Sequence, residues 1–176
     1  MKVINRQGNS KNCIICGMEN ELGLKAPFYN MEDGSVATVF EFGFYHQSYP
    51  ERTHGGMITS LLDEVMGRVL WHNATDATYL DSFAVTTSLS VKYRKPVPYG
   101  VKLKARGYIV KSNSRGYTSR GEIFDMQNNL LASAEATYLK TLPTVVVTDK
   151  YSMAEEMCYH LEKDIDEIDF PPIQTI

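Results

Sequence analysis

Apolar positions recur along this chain with two different periods, and the change of period divides it. Residues 25–32 and 35–44 read as two strands joined at Asp33-Gly34, a strong hairpin-turn signal. From about residue 55 to 72 the period lengthens. Ile58, Leu61, Leu62, Val65 and Val69 recur at three- and four-residue spacing and form one stripe, which Met57, Met66 and Leu70 widen. That pattern predicts a helix buried on most sides. Over residues 83–93 the period returns to two, with Thr87, Leu89, Val91 and Tyr93 on one face and Ser88, Ser90, Lys92 and Arg94 on the other. Pro96 to Gly100 ends that strand, because proline cannot donate to a ladder.

Residues 101–111, 116–126 and 130–139 follow as further strands, with turns at Asn113-Ser114-Arg115-Gly116 and Gln127-Asn128-Asn129. Residues 152–165 predict a C-terminal amphipathic helix carrying Met153, Met157, Leu161 and Ile165 on one side. Residues 45–53 and 73–81 are expected as loops, residues 1–12 as a mobile lead-in, and 142–176 as an extension. Two strands, one long apolar helix and four strands define an α+β class. A helix apolar nearly all round needs something to wrap it, and a strongly curved antiparallel sheet is the economical solution.

A chain of 176 residues fits one domain with a real core. The net charge of -3 argues against a nucleic-acid partner, which asks for a basic face. No apolar run approaches the roughly 20 residues of a membrane span. The first twelve residues lack the apolar core of a signal peptide, and three cysteines are too few for a disulfide scaffold. A cytoplasmic setting is therefore expected. Cys13 and Cys16 form a single CxxC, short of the four ligands of a structural zinc site, so they are read as structural thiols, with no metal or cofactor expected.

The chemistry concentrates where the long helix begins. Gly55 and Gly56 follow His54 at its predicted N-terminus, where backbone N–H groups have no intrahelical partner and suit an oxygen developing negative charge. Asp63 sits off the apolar stripe, near the face of Thr59 and Met66, where a carboxylate could act as general base or nucleophile. A solvent-facing pair with Arg68 is the plainer alternative, though Glu64 suits that role better. Gly55 and Asp63 are eight residues apart, or roughly 12 Å along a helix rising ~1.5 Å per residue. Groups acting on one carbonyl must lie within about 3 Å of it or of its water. If both are catalytic, they come from two antiparallel helices of at least a homodimer.

His54-Gly55-Gly56 with Asp63 resembles the PaaI-like hotdog-fold acyl-CoA thioesterases, as do Asn12 to Gly17 with Asn20 to Leu24, Thr86 to Pro98, and Ala132 to Tyr138. The resemblance covers about residues 12–141 and implies a hotdog domain over 13–141. It implies that Asp63 activates water or attacks the acyl carbon. The Gly55 N–H of the opposite protomer would polarise the thioester carbonyl, with His54 beside it. Thr86 would hold the water near Asp63, with Thr87 as the alternative in another register. Ser48 stands where the family often has Asn, and either Ser48 or Gln47 could serve as carbonyl partner. Gly56, Arg94 and Lys95 complete the expected substrate contacts, the two cations toward CoA phosphates. The implied partners are an acyl-CoA substrate and a second copy of the chain, with pairing of dimers into tetramers open. A non-catalytic CoA-ester-binding hotdog module and a hotdog dehydratase are the competing readings.

Overall fold

The computed structural model describes residues 1–72, 74, 83–146 and 155–173. The elements run β1 (Val3–Arg6), β2 (Tyr29–Met31), β3 (Val36–Glu41), β4 (Gln47–Tyr49), β5 (Arg52–Thr53), α1 (Gly55–Gly67), β6 (Phe83–Tyr93), β7 (Lys102–Ser112), β8 (Gly116–Asp125), β9 (Leu130–Thr141) and α2 (Pro143–Val146). Seven strands form one sheet in the order β1-β2-β3-β7-β8-β9-β6, antiparallel throughout, while β4 and β5 pair separately. This is the hotdog architecture, with α1 packed against the sheet.

Alternation along the strands assigns their two faces. Val36 and Phe40 of β3, Leu103 and Ala105 of β7, and Ile123 of β8 join the core around Ile58, Leu61, Leu62, Val65 and Met66 of α1. Ala37, with Val39 packed beside it, turns to a second cluster with Val3, Tyr29, Met31, Phe124, Ile168 and Phe170. The helix comes very close to the middle of the sheet. Gly107 and Gly121 lie opposite each other in the β7–β8 register. A Cβ on Gly107 would overlap the Val65 carbonyl, and one on Gly121 would meet Met66 Cγ at 2.9 Å. Only glycine lets the backbones approach so closely there.

Several expectations change. The first twelve residues are not a mobile lead-in: β1 pairs with β2, and Gln7, Asn9 and Ser10 are buried. Their polarity hid this, because the Asn9 amide spends its donors on the Cys16 and Ala26 carbonyls inside the fold. The expected loop at 45–53 is entered by a short 3-10 turn, Phe44–His46, and holds the β4–β5 hairpin. Helix α1 ends at Gly67 and tightens into a 3-10 turn over Arg68–Trp71. The expected loop at 73–81 falls outside the described residues except for Ala74.

The expected helix at 152–165 is not seen over its described second half. Residues 152–154 lie outside the described set, Glu155 and Glu156 are helical, and from Cys158 on the backbone is non-helical. Tyr159 bridges to Asn9 and Glu167 to Lys2, so this segment runs along the β1 side of the sheet as a strap. Ile168 and Phe170 then enter the second cluster. Long-range backbone pairing has overridden the local four-residue spacing.

Candidate active site

The start of α1 is built by His54, in extended conformation at φ -64 and ψ 133. Its Nδ1 accepts the Gly56 N–H at 2.9 Å, while its carbonyl accepts from Met57 and Ile58. The sequence left both glycine donors open, but Gly56 is already capped. Gly55 is the donor that remains, with no acceptor for its N–H among the described residues. Tyr93, at the end of β6, donates its hydroxyl to the Gly55 carbonyl at 3.1 Å and lies 2.7 Å from Thr59 Oγ1. It ties the first turn of the helix to the sheet.

A groove of about 910 Å³ opens over this helix start. His54, Gly55 and Gly56 line it together with Ser48, Arg94 and Lys95, so six of the eight expected site residues converge in one place. Gln47 lines it too, which leaves the choice between Gln47 and Ser48 as it stood. Arg52 adds a third fixed cation, giving the groove a local positive rim on a chain of net charge -3.

Asp63 lies two turns further along α1, half-buried between the helix and the sheet. Its Oδ1 accepts hydrogen bonds from Thr86 Oγ1 and from the Tyr138 hydroxyl, both at 2.9 Å, and Tyr138 also lies 2.9 Å from the Asp63 carbonyl. Both hydroxyls bind the same oxygen, so Oδ2 is the one turned to other chemistry. Thr86 thus grips the carboxylate itself, where the resemblance implied that it would hold a water. Burial, and next the negative charge of Asp63, push the Tyr138 phenol well above its ordinary value, so it stays a protonated donor. Tyr117 stacks on Tyr138 with centroids 4.8 Å apart and donates to the Gly67 carbonyl at 3.0 Å. A small cavity of about 160 Å³ adjoins these groups, lined by Asp63, Thr86, Tyr138 and Trp71 among others.

A bulge in β6 settles which threonine faces Asp63. The register with β9 pairs Thr86 with Tyr138 but Ser88 with Thr137, so one extra residue is inserted at Thr87. Before the bulge Ala84 and Thr86 face the helix; after it Leu89 and Val91 do. Strict alternation would have turned Thr86 away. Thr87 instead donates to the Thr137 carbonyl. Tyr138 and Tyr93 were missed from sequence as site groups. The spacing gives no register between strands 50 residues apart, and only a known β6–β9 pairing would have exposed Tyr138.

Glu64 and Arg68 form the expected i,i+4 pair, with Nε to Oε1 at 2.7 Å, but Arg68 is buried rather than solvent-facing. Its guanidinium lies 4.3 Å from the Phe28 ring centroid and donates to Gln7 Oε1 and the Gly8 carbonyl. On the same side, the ligand atoms of Cys13, Cys16 and Glu64 all lie within 4.8 Å of one another. The hydrogen bond between the two thiols pulls Cys16 down to about 4, against burial and with help from Arg68, and pushes Cys13 up. Burial raises Glu64.

An antiparallel sheet around one helix, with a carboxylate in the helix and an open glycine donor at its start, defines a hotdog fold that carries a candidate site for acyl chemistry. Residues 52–132, a little under half of the chain, match the sequence profile of the thioesterase superfamily. The acyl-coenzyme A thioesterase THEM4 of Xenopus laevis is 27% identical over 117 residues, covering 66% of this chain and 50% of the relative. This chain therefore spans about half the length of that relative. A solved thioesterase superfamily protein is 25% identical with a TM-score of 0.65, over 73% of this chain and 63% of the other. The Escherichia coli PaaI protein, from the phenylacetic acid degradation operon, shares the fold at a TM-score of 0.58 and 16% identity, over 67% of this chain and 80% of its own.

Proposed function

We propose that this chain hydrolyses acyl-CoA thioesters to free acid and CoA, using two half-sites that meet across a homodimer. The observation that carries the reading is the isolation of Asp63 Oδ2. Two hydroxyls hold Oδ1 and fix the carboxylate, leaving one oxygen to take a proton from water. Water then attacks the acyl carbon, and the carbonyl oxygen, now negative, accepts the Gly55 N–H of the other protomer. The C–S bond breaks as the oxyanion collapses, and the CoA thiolate leaves and is protonated. Direct attack by Asp63 on the acyl carbon, followed by hydrolysis of the anhydride, gives the same products.

The edge of the sheet supports the dimer. The β1 side is covered by the C-terminal strap. β6, at the other end, is 11 residues long and carries no further strand among the described residues. A long open edge of this kind invites pairing. Joining β6 to its copy would continue the sheet and bring two α1 helices together antiparallel, placing each Asp63 beside the other chain's Gly55. In that arrangement Arg52, Arg94 and Lys95 meet the CoA phosphates, and His54 acts by shaping the donor loop rather than by proton transfer.

A thiol-release screen over short, medium, long and aryl CoA esters tests the reading. Turnover of at least one class, falling about a hundred- to ten-thousandfold in Asp63→Asn, is the expected result. Tight CoA-ester binding with no turnover would select the non-catalytic module instead. Enoyl product in place of free thiol would select a dehydratase.

A further inference from the structure

The CxxC turn is folded in a way its sequence does not announce. Cys13 Sγ accepts two backbone N–H groups, from Ile15 at 3.3 Å and from Cys16 at 3.4 Å, and the Gly17 N–H closes the turn on the Cys13 carbonyl at 2.8 Å. Such donors favour a thiolate there once the proton that Cys13 shares with Cys16 is displaced. Ser10 Oγ accepts the Cys13 N–H at 3.2 Å, which leaves its own proton for Cys16 Sγ 3.3 Å away. Both sulfurs are thus dressed with donors. The third group comes from 48 residues further on: Glu64 reaches the pair from α1. Arg68 binds its Oε1, and the carboxylate keeps a second oxygen that can serve as a ligand.

Three such groups within 4.8 Å are a poor arrangement for anions alone and a good one around a cation. Tetrahedral zinc, with Zn–S near 2.3 Å and Zn–O near 2.1 Å, holds its ligands about 3.5–3.8 Å apart, within that span. Two thiolates, a carboxylate and a divalent ion carry a net charge of -1, which the buried Arg68 balances. Soft sulfur with one carboxylate selects a thiophilic ion over calcium or magnesium. We propose that Cys13, Cys16 and Glu64 bind a thiophilic divalent cation of the zinc class, with water as the fourth ligand. Binding releases the thiol protons to solvent. It clamps the N-terminal turn to α1 at the residue next to Asp63, so the site stiffens the helix that carries the candidate base. The assignment is independent of the reaction proposed above.

The 176-residue chain, stripped with a chelator under reducing conditions, is titrated with Co2+ and then Zn2+. One Co2+ per chain with thiolate-to-cobalt charge-transfer absorption, displaced by Zn2+, is expected. The zinc-loaded protein should show two sulfur neighbours by X-ray absorption and a higher melting temperature. Cys158→Ser should leave binding unchanged, since Cys158 is exposed and outside the cluster. Cys13→Ser and Cys16→Ser should abolish the absorption, and Glu64→Gln should weaken binding at least tenfold. Absence of the charge-transfer band in wild-type protein, its persistence in the Cys13→Ser and Cys16→Ser variants, or zinc without two sulfur neighbours overturns the assignment. If those variants do not fold, the sulfur count in wild-type protein decides alone.

Discussion

Asp63 is the residue on which the account turns, and its partners explain how an acidic side chain is tolerated within an apolar helix. Thr86 and Tyr138 supply two hydrogen bonds to one oxygen, which is what a half-buried carboxylate needs to stay in place. Asp63 and Gly55 were legible in the sequence, because an acid off an apolar stripe and a glycine at a helix start are local features. Tyr138 was not, because its role depends on a cross-strand register and on the bulge at Thr87. Tyr138→Phe keeps the ring stacked on Tyr117 and removes only the donor. A hydrogen bond to a charged group contributes about 1.5–3 kcal/mol to stability, so the melting temperature should fall by roughly 3–12 °C, and kcat should fall about tenfold or more with KM nearly unchanged as the carboxylate loses its placement. Steady-state kinetics beside a thermal melt measure this, and wild-type kinetics would remove Tyr138 from the site.

At the scale of elements, periodic segments that bury one face against the core were read correctly, while the periodicity at 152–165 misled. The strand at Phe83–Tyr93 and the start of α1 at Gly55 agree with the periodicity, since burial of one face fixes both. β1 and the C-terminal strap escaped, because each is held by pairing to distant backbone rather than by its own pattern. The glycine pair under α1 shows the same limit. Gly107 and Gly121 sit inside strands where glycine is otherwise unfavourable, and only the helix above them gives the reason. Gly107→Ala should therefore cost about 1–3 kcal/mol in denaturant unfolding, as overpacking does. Gly121→Ala should cost less, since the flexible Met66 side chain can move away. Equal, negligible costs at both positions would mean that α1 is not seated as described.

For the whole molecule, spacing along one helix is the deciding quantity. Eight residues separate Gly55 from Asp63, roughly 12 Å at ~1.5 Å per residue, and the groove at the helix start and the cavity at Asp63 have different linings. Neither half can hydrolyse a thioester alone, so the account requires each chain to give one half to its partner. Gly55→Pro removes the donor and keeps the helix start: proline is favoured at the first helical position, and His54 already has the ψ of 133 that a following proline requires. The added ring meets Tyr93, whose hydroxyl lies 3.3 Å from the Cβ position. Gly55→Pro and Asp63→Asn homodimers should each be nearly inactive. Mixed and exchanged at equal concentration, half of the dimers become hybrids, each with one doubly impaired site and one intact site. Thiol release on the best CoA ester should then recover to about a quarter of the wild-type rate. No recovery after exchange has been verified, with both parents inactive, would contradict a site shared between two chains.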